Sequence, residues 1–194
     1  MESPSAAITT MEQRYKYALS LLVEQKYIIA IKEFESIINT APDSEYAEVS
    51  QINIGRTYFL NGDYKRALKA YEKVLEKYPG TKKTEEILER EYQLGIAQMD
   101  TNEEAAIKVF EKIIEKHHLG PVAPDAQVKI ADCYFKLGQY EEALDAYEKF
   151  LENYPKSEWV PYIQYQIPLS KVYHEKQQER NYGLLISARE GFEE

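Results

Sequence analysis

One pattern recurs along this chain and dictates what it can fold into. An alanine is followed four residues later by an aromatic ring at Ala30–Phe34, Ala67–Tyr71, Ala106–Phe110 and Ala143–Tyr147. The alanines are 37, 39 and 37 residues apart. Residues four apart share one face of a helix. A second helical pattern precedes each pair, and it carries a small residue of its own: Ala18, Gly55, Gly95 and Ala131. Small residues on both helices let the two backbones approach and cross closely. Each unit therefore reads as an antiparallel helix hairpin. The clearest is Glu48–Pro79, where Asn61-Gly62-Asp63 makes the turn and Pro79 closes the unit, since proline cannot continue a helix. A lone hairpin cannot bury its apolar face, but stacked copies can. The expected fold is all-α.

The spacing Ile54, Gly55, Tyr58, then Ala67, Tyr71 and Pro79, resembles the tetratricopeptide repeat, with Gln51 where that pattern has tryptophan. The resemblance implies a superhelix (an α-solenoid) of about five helix hairpins. Its repeats span about 11–44, 45–81, 82–120, 121–157 and 158–194, after a flexible lead over residues 1–10. The first repeat replaces the Gly-Asp-Tyr turn with Gln25-Lys26-Tyr27. The third has a turn one residue shorter, near Asp100-Thr101-Asn102, and His118 in the closing proline's place. Ser44 and Ser157 are expected N-caps. The fifth repeat carries Pro168 in the small-residue position and a polar stretch, HEKQQERNYG, expected as an insertion. Ala188 and Phe192 then restart the alanine–aromatic pattern, so this repeat is expected to be incomplete and weakly held.

Composition excludes several functions. The net charge of −9 removes an electrostatic case for nucleic acid, and the 17 tyrosines fall at repeat positions where packing explains them. No run of about 18 apolar residues is present to span a membrane. The start of the chain has no basic region followed by an apolar core. The lone Cys133 excludes an internal disulfide and reads as a small core residue. His117, His118 and His174 lack the companions of a zinc site. No glycine-rich phosphate loop occurs. No catalytic residue, metal or cofactor is expected.

The repeat linkers Pro42-Asp43-Ser44-Glu45-Tyr46-Ala47 and Pro155-Lys156-Ser157-Glu158-Trp159-Val160, with the 37-residue step, narrow the resemblance. They are similar to the outer-membrane β-barrel assembly lipoproteins of the BamD family, above all over Gly120–Glu194. The CpoB-type Tol-associated periplasmic proteins are the alternative, with a cytoplasmic scaffold as a third reading. The resemblance implies a non-catalytic interaction scaffold of the bacterial envelope, periplasmic or outer-membrane associated, with a lipid anchor possible outside this chain. It also implies that the first helices line a concave groove for a protein or peptide segment. Aligning the repeats puts Tyr15 there, then Ile52, Arg56 and Phe59, then Tyr92 and Ile96. Val128, Asp132 and Phe135 follow, then Tyr162 and Tyr165.

Overall fold

The computed structural model describes residues 10–193, with side chains from 10 to 186. The expected lead over residues 1–10 lies almost wholly outside them, as do the side chains of Ala188 and Phe192. Among the described residues there are nine helices and no strand. They are α1 (Met11–Val23), α2 (Tyr27–Thr40), α3 (Glu45–Leu60), α4 (Tyr64–Lys77), α5 (Thr84–Gln98), α6 (Glu103–His117), α7 (Ala123–Lys136), α8 (Tyr140–Asn153) and α9 (Val160–Glu193). The chain divides into two compact units, Met1–Leu94 and Gly95–Glu194, with the boundary inside α5.

The first unit packs α1 to α4 around Ala18, Leu22, Ala30, Phe34 and Ile37. Thr10 caps α1 in a reciprocal pair with Gln13, and Ser44 and Asp63 cap α3 and α4 through bonds from Ala47 N–H and Arg66 N–H. The second unit has its core at Val128, Ala131, Ala143, Tyr147, Phe150 and Ile163. All four marker alanines are fully buried, and so are Phe34, Phe110 and Tyr147, with Tyr71 2% exposed. Gly55 lies flat against the ring of Tyr71, and Gly95 against that of Phe110; a Cβ at either would collide with the ring.

The three long turns share one geometry. Gln25, Gly62 and Gly138 have φ of 59°, 76° and 74°. Their N–H groups donate to Leu22, Phe59 and Phe135, each at 3.0 Å, and the next N–H reaches back five residues to Leu21, Tyr58 and Tyr134. Such paired bonds satisfy the last carbonyls of a helix and need a left-handed residue. The third turn lacks that residue, and both Thr101 and Asn102 N–H donate to Gln98. His118 does stand in for Pro42: the Tyr154 hydroxyl donates to its carbonyl, as Tyr78 does to that of Pro42.

Two expectations are corrected. Ser157 does not cap α9, which starts at Val160; its Oγ accepts from Trp159 N–H at 3.3 Å, two residues on, ahead of the helix. The fifth hairpin does not form, because α9 runs unbroken through HEKQQERNYG and Pro168. Glu, Lys, Gln and Arg are good helix formers, and the single Gly183 costs only about 1 kcal/mol.

Candidate functional site

In the first unit the first-helix residues divide sharply. Ile52 is 5% exposed and belongs to the interior, so it offers nothing to a partner. Tyr15 is half-buried: its ring packs on Phe34 and Tyr46, and its hydroxyl accepts from the Asn53 amide at 2.8 Å. Arg56 and Phe59 differ. They border a cleft of about 460 Å³ between α3, α4 and the start of α5, with Leu60 and Tyr71 completing its apolar wall. Glu86, Glu89 and Arg90 form the opposite rim.

The charges in that cleft are unequally satisfied. Arg90 donates to Glu86 at 2.7 Å, and Glu89 accepts from Gln93 at 2.9 Å. Arg56 is exposed and makes no hydrogen bond or ion pair among the described residues. It shares the cleft with Tyr71. Burial pushes the Tyr71 hydroxyl up to about 12, while Arg90 and Arg56 pull it the other way. The cleft thus offers an apolar wall beside a positive group with spare donors. Tyr92 is half-buried and does not line it. The α5 rim was missed by sequence reasoning, although Glu86, Glu89, Arg90 and Gln93 stand at helical spacing on one face.

In the second unit the corresponding residues are already engaged. Val128 is fully buried and, like Ile52, is core. One oxygen of Asp132 accepts from the hydroxyls of Tyr147 and Tyr162, both at 2.8 Å, and the other from Lys129 at 2.9 Å. Lys129 also lies over the Trp159 ring, whose indole N–H donates to Asp125 at 2.8 Å. Phe135 packs edge-on against Tyr140 and Tyr173, with centroids 5.3 and 5.4 Å away. Ile96 is half-buried, and Tyr165 is 64% exposed with its ring in solvent. Cys133 is buried; burial first, then the Asp132 charge, push its thiol up to about 12, far from a nucleophile's range. Among the described residues no group of His, Cys, Asp and Glu is placed to hold a metal ion.

The profile of the outer membrane lipoprotein (YfiO) family matches residues 8–105, half of the chain. The chain belongs to that family. A tetratricopeptide-repeat profile matches residues 125–157. The lipoprotein match covers the first half of the chain, whereas the linker resemblance pointed to Gly120–Glu194, where the match is to the tetratricopeptide repeat alone. No curated protein matches the sequence. Among solved structures, the MamA protein is 20% identical over 87% of this chain and 85% of its own, with a TM-score of 0.51. A tetratricopeptide repeat protein from Parabacteroides merdae is 18% identical over 92% of this chain and 66% of its own, at 0.52. At those identities the likeness shows the fold, which is the all-α tetratricopeptide-repeat solenoid. Repeat fold and family together point to a protein-interaction scaffold. No described helix of this lipoprotein-family member is long and apolar enough to cross a membrane.

Proposed function

We propose that this protein is a non-catalytic scaffold of the bacterial envelope, acting in outer-membrane protein assembly, and that the Arg56–Phe59 cleft receives a segment of a partner protein. The family membership supports the setting. The observation that carries the site is the pairing of an unsatisfied Arg56 with the half-buried Phe59 and exposed Leu60. Arginine and aromatic side chains concentrate binding energy at interfaces. A partner carboxylate beside an apolar side chain would meet both, leaving no buried ion unpaired. Of the residues expected to line a groove, Arg56, Phe59, Tyr165 and the edges of Phe135 and Tyr162 keep surface for a partner, and Ile52 and Val128 drop out.

The test is capture from envelope extracts with the recovered partners identified. Phe59→Ala with Phe135→Ala is expected to leave the chain helical and to weaken capture at least about tenfold, roughly 1.4 kcal/mol. Unchanged capture by a folded double variant removes the Arg56–Phe59 cleft from the reading.

A further inference from the structure

Each unit holds a groove built from the same repeat positions. In the first unit a groove of about 600 Å³ lies between α2, α3 and α4. In the second unit a groove of about 480 Å³ lies between α6, α7 and α8. Their linings correspond residue by residue at a constant separation of 76 positions. The floors are the same: Ile38, Ile54 and Tyr58 in one, Ile114, Ile130 and Tyr134 in the other. The rims are opposite. Arg66 and Lys69 stand where the second groove has Glu142 and Asp145. The first groove carries Arg66, Lys69 and Lys73 against Glu35; the second carries Glu111, Glu115, Glu142 and Asp145 against Lys149.

The rim groups are exposed and little neutralised from within. Lys69 and Lys73 make no ion pair among the described residues, and Arg66 has one loose contact with Asp63 at 3.4 Å. The Arg66 guanidinium lies 5.7 Å from the centre of the Tyr58 ring, extending its charge over the floor. In the second groove Tyr134 feels the reverse field: after burial, Glu111 and Glu142 push its hydroxyl up. A repeated floor with an inverted rim separates shape from charge. The floor sets what can lie in the groove, and the rim sets its sign.

We propose that the groove of the first unit is a docking site for an acidic amphipathic segment of a partner protein, with apolar residues against the part-exposed Tyr58 ring over the buried Ile38 and Ile54, and carboxylates on Arg66 and Lys69. The chain as a whole carries −9 and repels such a segment. Binding must then come from this local reversal of sign rather than from general attraction. The site lies apart from the Arg56–Phe59 cleft and does not depend on it.

The full chain would be titrated, by fluorescence anisotropy, against a labelled synthetic peptide with leucines at helical spacing and glutamates between them. The expected result is saturable binding of the acidic peptide. R66E with K69D should weaken it at least about tenfold. That variant installs the pair of charges the second groove already carries on the same framework, so the fold should be kept, and an unchanged circular-dichroism spectrum checks it. E142R with D145K, which gives the second groove the basic rim of the first, should raise the number of peptides bound without weakening the first site, and Phe59→Ala should leave acidic-peptide affinity within about twofold. The proposal is overturned by absence of binding, by indifference to R66E/K69D, or by loss of binding in Phe59→Ala. It is equally overturned if the free protein sediments as a dimer that R66E/K69D dissociates, because the groove's occupant is then a second copy.

Discussion

Arg56 and Asp132 occupy the same place in the second and fourth repeats, one residue after Gly55 and Ala131. Their surroundings differ completely. Arg56 faces an open cleft whose far rim is Glu86, Glu89 and Arg90. Asp132 is enclosed by Tyr147 and Tyr162 and held by Lys129. The next ring along repeats the contrast. Among the described residues Phe59 stacks on the Tyr64 ring alone, at 5.7 Å, while Phe135 is covered by both Tyr140 and Tyr173. The backbone register is common to both repeats. What changes is the neighbouring helix: α5 brings charges, and α9 brings rings. A repeat position therefore becomes a site or a core according to what the next helix supplies.

The largest effect should come from breaking the closed side. Asp132→Ala leaves the hydroxyls of Tyr147 and Tyr162 without their acceptor and Lys129 without its partner. A loss of about 2–4 kcal/mol is expected in chemical denaturation. The same tyrosines make the closed side sensitive to alkali. Burial, then the Asp132 charge, push both hydroxyls up, Tyr162 to about 12. Unfolded tyrosine ionises near about 10. The contribution is thus fully present below pH 10 or so and is lost as pH rises toward 12. Replacing Asp132 by Asn should bring the Tyr162 ionisation down, read by ultraviolet absorbance; no movement would detach the carboxylate from this behaviour.

Gly55→Ala sharpens the comparison from the other end. It makes the second repeat resemble the fourth, which has Ala131. Yet the added Cβ meets the Tyr71 ring, which is 2% exposed and has no room to retreat. A cost of about 1–3 kcal/mol is expected from overpacking. A neutral result would mean that the helices of the second repeat can separate to the spacing of the fourth.

The frame common to both repeats was legible in the sequence because it depends on residues within one hairpin. Ala67 and Tyr71, or Ala143 and Tyr147, need only their own first helix to be buried, and spacing alone finds them. The site was legible in part. Arg56 and Phe59 follow from the register, but whether they stay open depends on side chains beyond the hairpin. Tyr173, which closes Phe135, stands 38 residues away on a helix whose path could not be read, since Pro168 and a polar run looked like breaks. Ile52 and Val128 failed for the same reason: a first-helix position is turned inward or outward by its neighbour.

A smaller effect belongs to the turns. Gly62 and Gly138 take their positive φ freely, whereas Gln25 adopts φ 59° with a side chain. A left-handed backbone costs a non-glycine residue roughly 1–2 kcal/mol. Gln25→Gly should therefore stabilise the first hairpin by about 0.5–1 kcal/mol, net of the extra freedom glycine gives the unfolded chain. Gly138→Ala should do the reverse by a similar amount. Equal melting temperatures for both would mean that the turn geometry is not what holds these hairpins.

The smallest stability effect should be at Arg56, and its smallness is informative. The side chain is exposed and has no hydrogen bond or ion pair to lose among the described residues; its charge acts on the hydroxyls of Tyr15 and Tyr71. Arg56→Ala should change unfolding free energy by no more than about 0.5 kcal/mol, as for other surface positions without partners. The matched Asp132→Ala is expected to cost several times that. Stability and binding should thus separate across the two repeats: the aspartate is spent on the fold, and the arginine is left over for a partner. If Arg56→Ala costs as much as Asp132→Ala, then the arginine is holding α3, α4 and α5 together, and the cleft is a gap in the packing rather than a place for a ligand.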